Sequence, residues 1–375
     1  MKLIVTCGSG TEASVKRELE KLGVVNPKAI DGKIEVEGDF ELLSRLSVWL
    51  RCGDRILIEL GKFKATTFDE LFDGISKIDW ETWVTADNQI RLNGNCFNSK
   101  LMAIKTSGSI VKKAIMKRLQ KVYKTELLEV GETITVYFNI TKDICTVMLD
   151  ASGDGLHKRG YRTLNHTAPI KETLAASLID LSIMRGDKPF ADVFCGSGTI
   201  AIETALIARN IAPGIRRNFD FEKFKNYPEG TLEKVKAEAK KEERDIKPNI
   251  YACDINAEAI RLAKIHAKAA RVDEYITFEV ADMKDFVPKD DYGVIISNPP
   301  YGDRLGDKDD VEKLYKSFAE MVKKYPTWST YLITDDKEFE KKMGKPATKK
   351  RKLYNAKIEC IYYSFMGEKP PRKEN

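Results

Sequence analysis

Phe190-Ala191-Asp192-Val193-Phe194-Cys195-Gly196-Ser197-Gly198-Thr199 reads as a short apolar strand, a glycine turn and the start of a helix expected over residues 200–208. Gly196, Gly198 and Ala201 keep a G-x-G-x-x-A spacing, which lets a backbone turn sharply and approach a ligand closely. The helix beyond the turn offers unpaired N–H groups and the positive end of its dipole, a seat for a carboxylate or pyrophosphate. Such a spacing is weak evidence when it stands alone. Its setting is stronger: from residue 167 onward helices alternate with apolar strands, the pattern of a parallel sheet flanked by helices.

Working outward, residues 249–253 form a second strand ending in Asp254, and residues 275–280 a third with Asp282 just beyond. An acid at the first of these ends suits the two hydroxyls of a ribose, and one at the next suits an adenine amine. Either aspartate alone could be a helix cap or a turn residue. At successive strand ends they read together as ligand contacts. Residues 291–297 hold another short apolar run with β-branched residues, followed by Asn298-Pro299-Pro300-Tyr301 and Gly302. Asn298 offers an acceptor and a donor, and the proline after it restricts where its side chain points. Pro299 and Pro300 lack N–H groups, leaving a stiff loop with free carbonyls. Tyr301 supplies a flat face for a base. The group suits a planar ring bearing an exocyclic amine, although a rigid turn whose Asn bonds its own backbone has the same sequence.

The whole chain of 375 residues, 42% hydrophobic and 32% charged, has material for two or three globular domains. Its net charge of +6 permits a polyanionic partner. Seven cysteines without a C-x-x-C pair and only three histidines argue against a zinc or disulfide framework and predict no metal. Thiols in this pattern suit a reducing cytoplasm. No signal peptide or membrane-spanning run is expected.

Residues 1–60 read β-α-β-α-β, a small α+β unit of ferredoxin-like type. A second unit spans 61–152, a linker 153–166, and the α/β unit 167–375. Residues 100–124 hold eight basic residues and no acid. Lys113, Lys117, Lys121 and Lys124 share one helical face, with Lys105, Lys112 and Arg118 flanking it, and Ser107-Gly108-Ser109 is expected to precede and cap the helix. A face of one sign suits phosphate contacts, against the plainer reading of a solvated lysine face. In the linker, Leu156-His157-Lys158-Arg159-Gly160-Tyr161-Arg162 interleaves cations with aromatic rings, as phosphate and base binding require and as a charged hinge equally allows. Residues 209–248 interrupt the α/β alternation as a crossover elaboration.

These residues resemble a known family. Asp192–Thr199 is similar to the first motif of class I S-adenosylmethionine-dependent methyltransferases, with Val193 where that pattern has proline. Asn298–Tyr301 resembles their amino-methylating motif. The 156–162 stretch and Ala168-Pro169-Ile170-Lys171-Glu172-Thr173-Leu174-Ala175-Ala176 resemble the THUMP-domain RNA methyltransferases, and within them the bacterial large-subunit ribosomal RNA guanine-N2-methyltransferases. The resemblance implies ferredoxin-like and THUMP domains before a Rossmann-like domain with a mostly parallel seven-stranded sheet. It implies S-adenosylmethionine over Gly196, Ser197, Gly198 and Thr199, with Asp192, Phe194, Ile255 and Met283 beside it. Asp254 would hold its ribose, Asp282 its adenine, and Glu172 would lie near its methionine end. Asn298 and the Pro299 carbonyl would accept from a guanine 2-amino group while Tyr301 stacks. The partner implied is RNA, bound through Lys105, Lys112, Lys113, Lys117, Arg118, Lys121, His157, Lys158, Arg159, Tyr161 and Arg162. A nicotinamide oxidoreductase, a methyltransferase acting on DNA adenine or protein glutamine, a tRNA enzyme and a non-catalytic assembly factor are the competing readings.

Overall fold

The structure, a computed structural model, describes residues 1–162, 169–301 and 308–369. His166, Ala168 and Gly302 lie outside the described residues.

The first half builds one sheet from β1 (Lys2–Thr6), β2 (Lys28–Ile30), β3 (Lys33–Glu37), β4 (Arg55–Lys64), β5 (Gln89–Phe97), β6 (Thr133–Thr141) and β7 (Ile144–Asp150), in the order β2-β3-β1-β4-β7-β6-β5. Alternation decides its faces. Leu3, Val5, Ile34, Ile56, Ile58, Val147 and Phe138 point into one core. Helices α1 (Glu12–Lys21), α2 (Phe40–Trp49), α3 (Phe68–Ser76) and α4 (Ile104–Tyr123) feed that same core through Val15, Leu19, Leu43, Leu46, Leu71, Ile75, Val111 and Ile115. Asp39 caps α2 by accepting from the Leu42 N–H at 2.8 Å, and Thr67 caps α3 through the Glu70 N–H.

One strand bridges the first two units, and one expected cap is absent. The boundary placed at residue 60 falls inside β4, which pairs with β1 through Arg55–Glu59 and with β7 through Leu57–Lys64 around a bulge between Glu59 and Gly61. The ferredoxin-like and second units therefore share one continuous ladder. Helix α4 begins at Ile104, so Ser107, Gly108 and Ser109 lie inside it, and no side chain caps it.

The second half holds α5 (Glu172–Leu181), β8 (Phe190–Asp192), α6 (Thr199–Ala208), α7 (Thr231–Lys241), β9 (Ile250–Asp254), α8 (Ala257–Ala270), β10 (Ile276–Val280), β11 (Val294–Ser297), α9 (Lys308–Lys323), β12 (Ser329–Thr334), α10 (Phe339–Met343), β13 (Lys349–Asn355) and β14 (Ile358–Phe365). The sheet order is β10-β9-β8-β11-β12-β14-β13. Strands β8 to β12 run parallel, and β14 and β13 pair antiparallel at one edge. Both faces of the central strands are covered, so those strands are apolar: Phe190, Val294 and Ile296 join one core, and Ala191, Ile295 and Leu332 the other, whereas the edge strands β10 and β13 expose Thr277 and Glu279, and Lys349, Lys350 and Lys352. Helix α6 (TIAIETALIA) is buried almost all round and its sequence is accordingly apolar on every side. The strand order reverses between β8 and β11, and open α/β sheets bind ligands at such a switch point, beyond the strands' carboxyl ends.

Candidate active site

A cavity of about 620 Å³ opens at that switch point. Its floor is the glycine turn. Gly196 has φ 51° and Gly198 φ 83°, a region open to glycine. A side chain on Gly196 would project into open space, whereas one on Gly198 would meet Ala263 Cβ at 3.0 Å. Gly196 thus leaves room above the turn, and Gly198 lets α8 pack against it. The turn is held by the next strand: Gly196 N–H donates to Asp254 Oδ2 at 2.9 Å, and Asn256 N–H donates to Asp254 Oδ1 at 2.9 Å. Each carboxylate oxygen keeps a further lone pair for a ligand. Asp282 Oδ1 accepts from the Lys284 N–H at 3.0 Å, so it starts a short helical turn and also lines the cavity.

Asp192 is the most perturbed acid here. It is 1% exposed, and burial raises its pKa to about 7 against the pull of hydrogen bonds from Ser297 Oγ and the Phe194 N–H. Its Oδ2 has no hydrogen-bond partner. Ser297 also accepts from the Val193 N–H at 3.0 Å, which ties the ends of β8 and β11 together. Nothing in the sequence singled out Ser297; a small polar residue next to Asn298 was the available signal. Asn298 follows it, and its Oδ1 is buried without a partner. Two acceptors, one on each strand, therefore await donors in one cavity.

Phe194, Ser197, Thr199, Ile255, Met283 and Pro300 join the lining, together with Pro169, Ile170, Asn256, Asp310 and Leu314, which sequence reasoning had not selected. Gly198 shapes the turn without lining the cavity. Among the described lining residues four are aspartates and none is Lys, Arg or His. Among these side chains a sulfonium and an ammonium are favoured over a further anion.

Several expected contacts are placed elsewhere. Tyr301 is 2% exposed in the core, and its hydroxyl accepts from Asn355 Nδ2 at 2.8 Å. It braces the loop and offers the cavity no stacking face, because packing against the second sheet's core draws the ring inward. Glu172 lines a neighbouring cavity with Arg162, His157 and Lys158. Its Oε1 is 3.4 Å from Arg162 and its Oε2 lacks a partner. Arg162 reaches the cofactor side by donating to Thr199 Oγ1 at 2.9 Å and to the Ile170 carbonyl.

The linker cations are largely committed to the protein itself. Arg159 is buried, faces Glu203 at 3.4 Å, and donates to the carbonyls of Leu156 and Arg51. Tyr161 O–H donates to Glu203 Oε1 at 3.1 Å. These two form an internal strut between the halves of the chain, which corrects their assignment to RNA. Burial depresses the His157 pKa to about 4, so it is neutral at pH 7, and Lys158 pairs with Asp154 at 2.7 Å. On α4, Arg118 is bound to Glu81 and Asp79 and Lys112 to Glu129, which removes both from a free phosphate face. Lys117 lies 5.7 Å from the Phe72 ring centroid. Lys105, Lys113, Lys117 and Lys121 are exposed.

A glycine turn, acids at three strand ends and an Asn-Pro-Pro loop at the switch point of this sheet define a class I methyltransferase. Comparison with known proteins agrees: a family model for an RMKL-like methyltransferase domain matches residues 159–364, one for an RlmL ferredoxin-like domain residues 2–57, and one for a THUMP domain residues 65–150. The chain belongs to the RMKL-like methyltransferase family. It is 40% identical over 99% of its length, and 97% of the other chain, to YpsC of Bacillus subtilis (strain 168), an RNA methyltransferase by name. It is 32% identical over 97% of its length to the ribosomal RNA large subunit methyltransferase K/L of Psychromonas ingrahamii (strain DSM 17664 / CCUG 51855 / 37), of which it spans 50%. The crystal structure of SMU.472, a methyltransferase by title and complexed with S-adenosylhomocysteine, superposes with a TM-score of 0.95 at 38% identity, covering 99% of each chain.

The residues present suit S-adenosylmethionine as the methyl donor. Gly196 leaves open space over the turn, Asp192 Oδ2 waits for a donor such as an ammonium, and Asp254 and Asp282 stand where hydroxyl and amine donors would be held.

Proposed function

We propose that this is a cytoplasmic RNA methyltransferase that modifies the exocyclic 2-amino group of a guanosine in large-subunit ribosomal RNA. The observation that carries the proposal is the buried, unpartnered Oδ1 of Asn298 in the wall of an anionic cavity. An acceptor fixed there binds the N–H of an amine and turns its nitrogen lone pair away from the protein. The neighbouring Pro299 is buried and outside the cavity lining, and it stiffens the loop that carries Asn298. S-adenosylmethionine supplies a methyl group already activated on sulfur, so the protein's task is alignment. The amine loses its surplus proton to solvent, and no side chain is needed as a base. A base inside a folded RNA must leave its stack to reach such a cavity. The choice of RNA is supported by the match to a THUMP domain and by the names of the two relatives. The choice of ribosomal RNA is supported by the name of the second.

The test is mass spectrometry of nucleosides from ribosomal and transfer RNA of a strain lacking the gene. Loss of N2-methylguanosine from the large-subunit RNA alone is expected. Loss from transfer RNA would redirect the substrate, and an unchanged nucleoside profile with loss of methyladenine from DNA would overturn the RNA reading.

A further inference from the structure

All four helices of the first half feed the core on one side of its sheet. The other side is left open along β5 and β6. On β5 the outward positions are Gln89, Arg91, Asn93, Asn95 and Phe97, all exposed. Parallel pairing sets them beside β6 in register, Asn93 opposite Tyr137, Asn95 opposite Asn139 and Phe97 opposite Thr141. Paired residues of adjacent strands share a face, so these side chains form rungs of one surface. Phe97 is 59% exposed. Tyr137 is half-buried against a small cluster of Ile4, Leu57 and Met148, which fixes its ring at the centre of the surface.

On this face Arg91 of β5 and Lys62 and Lys64 of β4 are exposed cations, whereas Glu59, opposite Met148, and Glu35 are each paired with Lys2. Lys62 and Lys64 are exposed on β4 opposite Thr146 and Ile144 of β7. No outward position of β5, β6 or β7 carries a carboxylate until Asp150, which is buried and paired with Arg55. Aromatic rings, amides that both donate and accept, and exposed cations whose neighbouring acids are already paired, Asp150 with Arg55 and Glu59 with Lys2, match the parts of a single-stranded nucleic acid. A broad sheet face admits splayed bases better than it admits a duplex, whose bases are already stacked.

We propose that this open face is a platform for a single-stranded segment of the RNA substrate, with Phe97 and Tyr137 stacking on bases and Arg91, Lys62 and Lys64 meeting phosphates. The proposal rests on the RNA reading given above. A protein strand added to the β5 edge would use backbone groups and leave Phe97 uninvolved, so the side chains discriminate between the two partners.

The experiment is fluorescence anisotropy of the full chain with a labelled, unstructured RNA of about a dozen nucleotides, a length within the range such surfaces cover. Phe97→Ala should weaken binding about tenfold with an unchanged salt slope, since stacking and not a phosphate contact is lost. Arg91→Ala should weaken binding and reduce the salt slope by about one. Phe97→Trp should keep the affinity, and its indole emission should be quenched by the RNA. Both Phe97 variants replace an exposed side chain, and an unchanged melting temperature would show that the fold is intact. If the wild type binds but these variants bind equally well and the indole is not quenched, the platform is wrong and the RNA reading stands. If Phe97→Ala weakens a duplex as much as the single strand, base stacking is also wrong. If the wild type neither binds nor methylates any RNA, the RNA reading fails and the platform with it.

Discussion

The two halves of this chain each build a seven-stranded sheet and use it in opposite ways. The methyltransferase sheet is covered on both faces at its centre, so its central strands β8, β9, β11 and β12 are largely apolar along their length. The residues proposed to carry its chemistry, Asp192, Asp254, Asp282 and Asn298, lie at or just past strand ends. The first sheet is covered on one face, so every second residue of β5 and β6 faces outward, and its recognition groups are spread over an area. A site at strand ends depends on single atoms and tolerates little change. A site on a face depends on many weak contacts and should lose affinity in small steps.

The sharpest test of whether these halves act as one body is Arg159. It lies in a buried cluster with Glu203 and Tyr161, and it also donates to the Arg51 carbonyl of the first half. Arg159→Ala would leave the wholly buried Glu203 with one hydroxyl donor. Breaking a buried pair from one side costs about 3–5 kcal/mol, and chemical denaturation should show a loss of that order. Arg159→Lys should recover only part of it, because an ammonium cannot span the same carbonyls and carboxylate. A variant as stable as the wild type would mean that the halves are joined by other contacts.

Next in size is Asn298. Asn298→Ala should lower turnover by about 10²-fold, the scale of losing one aligning contact at a reacting centre, while calorimetry shows S-adenosylmethionine binding within a few-fold of normal. Turnover near the wild-type level would separate this strand end from the chemistry and remove the contrast drawn between the two sheets.

Asn298 also shows what the sequence makes legible. Gly196 to Thr199, Asp254, Asp282 and Asn298 could be read because each ends a short apolar run or opens a helix, and in a sheet covered on both faces such positions must gather at one rim. The misread residues have partners far along the chain. Arg159 and Tyr161 meet Glu203 more than forty residues away, and Tyr301 meets Asn355 at a separation of 54. Counting charges over residues 100–124 found no acid, yet Arg118 reaches back to Glu81 and Lys112 forward to Glu129. Composition in a window registers the cations and misses the carboxylates that fold onto them. The ladder through β4 was likewise hidden, because one strand of ten residues served two units that each looked complete.

The effect of pH is smaller per step and separates the two sheets by where it acts. Burial holds the Asp192 pKa near 7, above the ordinary value for a carboxyl group. Between about pH 4 and 7 the folded protein therefore binds more protons at this residue than the unfolded chain does. Stability should fall as pH rises through that window, by up to about 1.4 kcal/mol per unit, and the loss should be complete above the folded pKa. Asp192→Asn should remove this component from a pH series of denaturation curves, and S-adenosylhomocysteine, by placing a donor against Oδ2, should shrink it in the wild type. A wild-type profile that matches Asp192→Asn across the window would mean that the carboxylate is solvated and not poised for a ligand.

The smallest expected effects belong to α4, and they bear on how RNA meets the first sheet. Lys113, Lys117 and Lys121 are exposed on the solvent side of a helix that packs against the covered face. They are thus on the opposite side of the layer from Arg91 and Phe97. Each Lys→Ala change should weaken RNA binding only a few-fold and lower the salt slope by at most about one. An RNA that lies only on the open face would not register these changes at all. An RNA that passes around the β5 edge would register both sets, and their free energies should add, since the two groups lie on opposite sides of the layer and share no partner. A salt series on the triple Lys→Ala variant, alone and combined with Phe97→Ala, distinguishes these paths. Additive losses place the strand around the edge, and a silent triple variant confines it to the open face.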